Sequence, residues 1–255
     1  MLESKVIFSR NATGYWIRYF KPEKGFLYCI GADSASGIPG RNGSAAHVIN
    51  VNRHRVDAVF AGVITPENFA VELERAGNYY NKAMIGVEAM FHGLVVNFSL
   101  LQDTNGHSPY ENLFQHDGSM TGFSSRISSE VGWKQTEQNR NLLLSLLQTD
   151  LGYNLQDDHE AKVKALLCYD RATFDEFTHF QRNNKGKPEA EQGFADDRVI
   201  SCGISNAICH TLARTIVIET AERKETIWNQ WNALREQERR AEDIEIGGFD
   251  VSDYR

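Results

Sequence analysis

The segment Phe26-Leu-Tyr-Cys-Ile-Gly-Ala-Asp33 is the most informative stretch of this chain, because an apolar run ends directly on an acid. A second apolar run, Ala83-Met-Ile-Gly-Val87, ends on Glu88, and Asp196-Asp197 precede a long helical pattern. A carboxylate beside a buried strand is costly unless something compensates it, and a divalent cation held by oxygen ligands is the usual compensation where acids converge. We therefore expect these distant acids to form one metal site.

Length and composition set limits on the architecture. The 255 residues, 41% of them hydrophobic, suffice for one sizeable core, which we assign to residues 1–222, followed by a charged helix and acidic tail at 223–255. The first residues lack an apolar signal core, and no apolar run approaches the roughly 20 residues that span a bilayer. We expect a cytoplasmic protein with no membrane partner. Its cysteines have no C-x-x-C spacing, which favours reduced, packed thiols: Cys29, Cys168, Cys202 and Cys209.

The charge argues against one class of function. A formal net charge of −7 and a pI of about 5.6 are unlike a passive, high-affinity nucleic-acid binder, which needs clustered Lys and Arg. An acidic enzyme can still act on DNA through local basic groups. The candidates for phosphate contact are Lys134, Arg140, Arg182, Lys185 and Lys187.

The pattern of residues predicts strands first and helices later. Tyr15–Phe20 and Phe26–Gly31 flank a turn-like Lys-Pro-Glu-Lys-Gly, which predicts a hairpin. Thr65 is a good N-cap before Pro66. Further predictions are a short strand at Met84–Val87, a helix after Thr136, a strand at Thr173–Gln181, a hairpin tip or loop at Arg182–Gly193, a long helix at Asp197–Thr220 and an amphipathic helix at Glu222–Arg240 carrying Trp228 and Trp231. This order indicates an α/β sheet with helices against it.

Each candidate residue also has a structural interpretation. Alone, Asp33 is typical of a turn, and the Asp196-Asp197 pair is typical of a helix N-cap. His210 on the last long helix, together with Cys202 and Cys209, suggests zinc, but without a second ligand cluster these are better interpreted as core residues. For His92, near Glu88, a phosphate contact and a structural role stay equally open.

Four motifs together carry a family resemblance. They are Tyr28-Cys-Ile-Gly-Ala-Asp-Ser-Ala-Ser-Gly37, Ile85-Gly-Val-Glu-Ala-Met-Phe-His-Gly93, Gly132-Trp-Lys-Gln-Thr136 and Gly193-Phe-Ala-Asp-Asp197. In residues, order and spacing, this set resembles the nuclease domain of tailed-phage large terminases, over roughly residues 14–207. The resemblance implies an RNase H-like fold, with a mixed central β-sheet flanked by helices, that is shared with Holliday-junction resolvases.

The same resemblance implies an activity. Asp33, Glu88, Asp196 and Asp197 fall where the family places its catalytic metal ligands. Two ions, Mg²⁺ or Mn²⁺, about 4 Å apart would activate water and stabilise the leaving oxygen. The expected activity is thus that of a metal-dependent endonuclease cutting double-stranded DNA with low sequence specificity, in viral DNA packaging in the host cytoplasm.

The expected partners also follow from the resemblance. A complete large terminase carries an ATPase ahead of its nuclease, so this chain corresponds to the C-terminal half, and we expect the ATPase domain, the small terminase and the portal protein as partners. One departure is Asn139-Arg140, where relatives have Thr-Lys, which changes how a phosphate would be contacted. Two alternatives stay open: a junction resolvase of the same superfamily, and a non-catalytic portal-docking module whose acids are helix caps.

Overall fold

The computed structural model describes residues 7–10, 15–40, 42–102, 109–115, 131–152, 165–182 and 188–214. By its internal contacts the chain divides into two units, Met1–Thr211 and Leu212–Arg255. The domain boundary predicted at residue 222, and the predicted helix with Trp228 and Trp231, lie outside the described residues.

A six-stranded mixed sheet forms the centre of the first unit. Its strands follow the order β1-β2-β5-β4-β3-β6. The pairing of β3 with β6 is parallel, and the other four pairings are antiparallel. The strands are β1 (Ile7–Arg10), β2 (Tyr15–Arg18), β3 (Tyr28–Asp33), β4 (Ser44–Asn50), β5 (Arg55–Gly62) and β6 (Met84–Val87). A separate two-stranded hairpin consists of β7 (Phe180–Arg182) and β8 (Pro188–Ala190).

Five helices accompany the strands in the described part of the chain. They are α1 (Pro66–Tyr79), α2 (His92–Leu101), α3 (Glu137–Gly152), α4 (Arg171–Thr178) and α5, helical over 197–214. The predicted cap of α1 is confirmed, because the Thr65 hydroxyl accepts the backbone N–H of Asn68. Thr136 caps α3 in the same way, through the N–H of Asn139 at 3.2 Å. No described helix combines the length and apolar character needed to cross a membrane.

The central strands bury side chains on both faces. On one face Ile30, Val48 and Phe60 pack against Phe69 and Leu73 of α1 in a single apolar cluster. The opposite face is covered by α5. There a Cβ at Gly31 would lie 2.1 Å from the backbone nitrogen of Ser205, so only glycine permits this close approach of helix and strand. The sheet therefore fixes the position of α5 directly, backbone against backbone.

Two predicted elements were wrong. The segment at Tyr15–Phe20 does not form a hairpin with Phe26–Gly31, since β2 pairs with β1 and β5 while β3 lies between β4 and β6. The strand predicted at Thr173–Gln181 is mostly helix α4, because the Asp170 carboxylate caps it by accepting the backbone N–H of Thr173 at 2.9 Å. Within the loop or hairpin tip predicted at Arg182–Gly193, Pro188–Ala190 forms β8 and pairs with β7, while residues 183–187 lie outside the described residues.

Candidate active site

The parallel pair of strands brings the first two acids side by side. Ala32 of β3 pairs with Val87 of β6, so the next residues, Asp33 and Glu88, follow in register. The Glu88 backbone N–H continues the ladder by donating to the Ala32 carbonyl at 2.9 Å. The Asp33 and Glu88 carboxyl groups lie close together, since the charge of Glu88 contributes to raising the pKa of Asp33. Two acids in such contact must share a proton or a cation.

The aspartate pair reaches the same place from the start of α5. The Asp196 carbonyl accepts the backbone N–H of Ile200 at 2.9 Å, so Asp196 lies at the N-cap position and Asp197 begins the helix. Because α5 lies on β3 at Gly31, its first turn is brought to the end of that strand, where Asp33 is. The charges of Asp196 and Asp197 act on Asp33. The four predicted acids thus converge. One of them, Asp196, also lies at the N-cap position of α5, as the structural interpretation of the pair predicted.

Burial and mutual repulsion change the protonation of the cluster. Burial first, and then the Glu88, Asp197 and Asp196 carboxylates, raise the pKa of Asp33 well above its ordinary value. Burial, with Glu176 and Asp196 nearby, raises the pKa of Asp197 to about 7. Burial also raises the pKa of Glu88. Without a cation, the cluster therefore retains protons near neutral pH.

Arg140 lies within the cluster. Its guanidinium donates to the Asp196 carboxylate at 2.8 Å and to the Pro188 carbonyl at 3.3 Å, and its side chain is 17% exposed. Burial raises the pKa of Glu88, and the charge of Arg140 offsets part of that rise. The structure thus pairs this predicted DNA contact with a predicted metal ligand.

The remaining basic candidates are placed less completely. Lys134 is exposed and directly follows Trp133, which bridges to Glu88. Arg182 is the last residue of β7, and Lys185 and Lys187 lie outside the described residues. His92 begins α2 and is exposed.

A fifth acid was missed from the sequence. The Glu176 carboxylate on α4 accepts the backbone N–H of Arg198 at 2.8 Å and lies 3.3 Å from its guanidinium. Its charge helps to raise the pKa of Asp197, which places it beside the cluster. Glu176 was not considered because its segment, Thr173–Gln181, was predicted to be a strand. The cap signal at Asp170, three residues before Thr173, was the feature that indicated a helix here.

A buried polar network supports the first turn of α5. The Asp170 carboxylate accepts hydrogen bonds from the Thr173 hydroxyl at 2.7 Å and from Arg198 at 2.9 Å. His47 of β4 lies 2.8 Å from the Thr173 hydroxyl and 2.9 Å from that of Ser201. Burial lowers the pKa of His47 to about 3, so this imidazole is neutral. The network fixes the direction of α5 relative to β4.

The donor set fits a hard divalent cation. All the candidate ligands are carboxylates, which Mg²⁺ and Mn²⁺ prefer. Next to Asp33, the buried Ser34 hydroxyl has no hydrogen-bond partner among the described residues, so a polar group remains to be satisfied at this point. Within the described part of the chain, however, the one set of three ligand atoms all within 4.8 Å of one another belongs to other residues, His54, Asp150 and His210. The acid cluster is therefore more open than a site in which three side chains hold one ion.

The zinc interpretation of the last helix is changed by the structure. Cys202 and Cys209 are buried in the core, and burial raises the pKa of the Cys202 thiol. The polar contact of His210 is with another residue, since its Nε2 is 2.6 Å from the Asp150 carboxylate. The side chains that could bind a metal together with His210 are therefore Asp150 and His54, from other segments of the chain, and not the two cysteines.

Comparisons with known proteins give matches among solved structures. No family model and no curated protein matches the chain. The large terminase nuclease from thermophilic phage G20c with bound cobalt is 16% identical, with a TM-score of 0.54, over 79% of this chain and 90% of that chain. The form with bound magnesium gives a TM-score of 0.52 at 16% identity, over 79% and 90% of the two chains. The Thermus phage P74-26 large terminase nuclease domain is also 16% identical, with a TM-score of 0.50 over 78% of this chain and 87% of that chain.

At this identity the comparison establishes the fold. The chain has the RNase H-like α/β fold of terminase nuclease domains, as its sequence motifs predicted.

Proposed function

We propose that this protein is a metal-dependent endonuclease that cuts double-stranded DNA with low sequence specificity. The observation that carries the proposal is the convergence of Asp33, Glu88, Asp196 and Asp197 at one end of the sheet. Burial and like charges raise the pKa values of Asp33, Glu88 and Asp197, so the ionised cluster is unfavourable by itself. Bound cations would offset this repulsion, and perturbed pKa values of this kind are typical of functional sites.

The proposed roles follow from the positions of the acids. Two Mg²⁺ or Mn²⁺ ions would supply an activated water and a stabilised leaving oxygen for in-line displacement at phosphorus. Asp33 is the acid on which the charges of Glu88, Asp197 and Asp196 all act, so we assign it the contact with both ions, and Glu88 and the aspartate pair would hold one each. The raised pKa values of Asp33, Glu88 and Asp197 mean that these three side chains would release protons when the ions bind. The solved relatives with bound cobalt and magnesium support this use of the fold.

Low specificity follows from the residues available for DNA contact. The candidates, Lys134, Arg140, Arg182, Lys185 and Lys187, are cations suited to phosphates rather than to base edges. Among these candidates in the described part of the chain, Arg140 is the one whose contact with the acid cluster is observed, because it lies beside Asp196. Binding of a phosphate there would exchange one anionic partner of Arg140 for another and release Asp196 to a cation.

The biological setting is proposed by analogy with the structural neighbours. The nuclease would act in packaging of a viral genome in the host cytoplasm, with the ATPase domain, the small terminase and the portal protein as partners. These would impose the choice of cutting site that the nuclease itself lacks.

Substitution of Asp33 tests the proposal. We expect purified protein to relax and linearise plasmid in Mg²⁺ or Mn²⁺, and Asp33→Asn and Glu88→Gln to lower the rate by at least about 100-fold, because the site contributes several kcal/mol to transition-state stabilisation. Gel analysis of plasmid gives the rate. Asp33→Asn should retain its melting temperature in the absence of metal, since the raised pKa of Asp33 favours a neutral side chain there and Asn is neutral and of nearly the same shape.

The controls separate the alternatives. Asp175→Asn changes an acid that is 66% exposed and pairs with Arg171, and it should cut normally. Preferential cutting of a four-way junction over plain duplex would favour a resolvase. Activity of Asp33→Asn equal to that of wild type would remove the site assignment, and no metal-dependent cutting by wild type would favour the docking module.

A further inference from the structure

A second cluster of metal-ligating side chains lies elsewhere in the molecule. His54, in the turn between β4 and β5, and His210, on α5, both direct Nε2 toward one oxygen of Asp150 on α3. The Nε2–Oδ2 distances are 2.6 Å from His210 and 3.8 Å from His54. The two rings are 5.5 Å apart between centroids. Three segments far apart in sequence thus meet at a single carboxylate.

This cluster is distinct from the acids at the start of α5. His210 is 13 residues beyond Asp197 on one helix, which corresponds to about 20 Å at 1.5 Å per residue. The strands agree, since Asp33 pairs with Ala45 at one end of β4 whereas His54 follows the other end of that strand. No ion could contact both groups.

The backbone holds the ligands in place. One short segment fixes two of them, since Leu166 donates its backbone N–H to the Asp150 carbonyl at 3.1 Å and Leu167 donates to the His54 carbonyl at 3.0 Å. Asn206, one turn before His210, donates to the Asp150 carboxylate at 2.6 Å, and its side-chain oxygen lies 3.0 Å from His54 Nε2. Such outer partners orient ligands in metal sites.

Chemistry and access both suit a transition metal. Two imidazoles and one carboxylate are a zinc-type donor set, whereas Mg²⁺ prefers oxygen alone. In a tetrahedral site with metal–ligand distances of about 2.0–2.2 Å, the ligand atoms lie roughly 3.3 Å from one another. This separation falls between the two observed Nε2–Oδ2 distances, 2.6 Å and 3.8 Å. The Asp150 side chain is 6% exposed, whereas His210 is 35% exposed, so the site is anchored in the protein and open at one side.

We propose that His54, Asp150 and His210 form a second metal site that binds Zn²⁺ or a similar divalent transition metal and joins the β4–β5 turn, α3 and α5. The two rings bind through Nε2 in the tautomer with the proton on Nδ1. A water would complete the coordination, with Asn206 as an outer partner of Asp150 and His54. The site acts on stability and not on phosphodiester cleavage, given its distance from the acid cluster.

Metal titration of the whole chain tests the proposal. Protein stripped with EDTA is titrated with Co²⁺, and separately with Zn²⁺, in excess Mg²⁺ to occupy the acids. We expect one equivalent of Co²⁺ to give the strong visible bands of a four- or five-coordinate ion, and one equivalent of Zn²⁺ to raise the melting temperature. His54→Ala and His210→Gln should lose both effects, and Asn206→Ala should bind about 10–100-fold more weakly.

The controls exclude a purely hydrogen-bonded cluster. His210→Gln keeps a side-chain N–H that can donate to Asp150, so the fold should survive in it, as circular dichroism will show. His179→Ala removes a histidine that lies 3.4 Å from a single carboxylate, that of Glu191, and should bind normally. Asp33→Asn should also bind normally, which separates this test from that of the nuclease. Equal Co²⁺ spectra in wild type and His210→Gln, or no tight binding by wild type, would overturn the proposal.

Discussion

Asp170 shows how a single buried charge can be held in place by several partners. Burial by itself would raise the pKa of this carboxyl, but the hydrogen bond from Thr173, the charge of Arg198 and the hydrogen bond from Tyr19 together lower it below its ordinary value. Arg198 in turn binds Glu176 beside the acid cluster. The charged form of Asp170 therefore stabilises the beginning of α5, which carries Asp197.

Asp170→Asn should destabilise the protein in a pH-dependent manner. Breaking a buried ion pair typically costs about 3–5 kcal/mol, and the remaining Glu176 partner of Arg198 places the expected loss toward the lower value. Because the folded-state pKa is depressed, this stability is present above the unfolded pKa of 3.8 and is lost as the pH falls through the folded value. Urea unfolding at pH 7 and at pH 3 measures the difference between wild type and variant. A loss that is equal at both values would contradict the assignment of the charge.

At the level of elements, the site depends on the contact between β3 and α5. Gly31 is the point of closest approach, since a Cβ there would lie 2.1 Å from the Ser205 nitrogen and 2.4 Å from the Ser201 carbonyl oxygen. Both neighbours are backbone atoms and cannot rotate away. The separation of Asp33 from Asp197 is set by this contact, because β3 ends at Asp33 and α5 begins at Asp197.

Gly31→Ala should therefore impair both folding and cleavage. Overpacking typically costs about 1–3 kcal/mol, and a rigid backbone neighbour places this variant at the upper end or beyond. Thermal unfolding and the plasmid assay measure the two effects. Gly152→Ala is the matched control, because among the described residues no atom outside its own helical backbone and chain neighbours lies within 4 Å of the Cβ position there, and it should change neither. Normal stability of Gly31→Ala would mean that helix and strand are not in backbone contact.

Local signals predicted some elements and not others. The Thr65-Pro66 start of α1 and the strand before Glu88 are encoded by adjacent residues, and both were predicted. The pairing of β2 depends on β5, about 40 residues away, so the nearby turn at Lys24-Gly25 was misleading. The four acids proposed as ligands could be picked out because each ends an apolar run or stands at the start of a helix, whereas Glu176 has neither signal. The cluster of His54, Asp150 and His210 has no common spacing, so only the folded chain shows it.

On the scale of the whole molecule, charge would govern how the proposed nuclease associates with DNA. A net charge of −7 opposes association with a polyanion, so binding must rely on a small local set of cations. Arg140 is held between Asp196 and the Pro188 carbonyl, which keeps one cation next to the acids. The remaining candidates, Lys134 and the residues near β7, supply the rest of the proposed contact surface.

Salt should weaken DNA binding by a limited factor that reports this number of contacts. With about four phosphate contacts, the dissociation constant rises roughly 100-fold between 50 and 200 mM salt, and Arg140→Gln reduces the slope by about one contact. Fluorescence anisotropy with duplex DNA in Ca²⁺, chosen to occupy the acids without supporting rapid cleavage, measures the slope. Arg171→Gln is the control, since that side chain is 93% exposed and pairs with Asp175 alone among the partners described. If the slope of Arg140→Gln equals that of wild type, Arg140 positions Asp196 and does not contact phosphate. The phosphate contacts that underlie the low sequence specificity must then come from other cations.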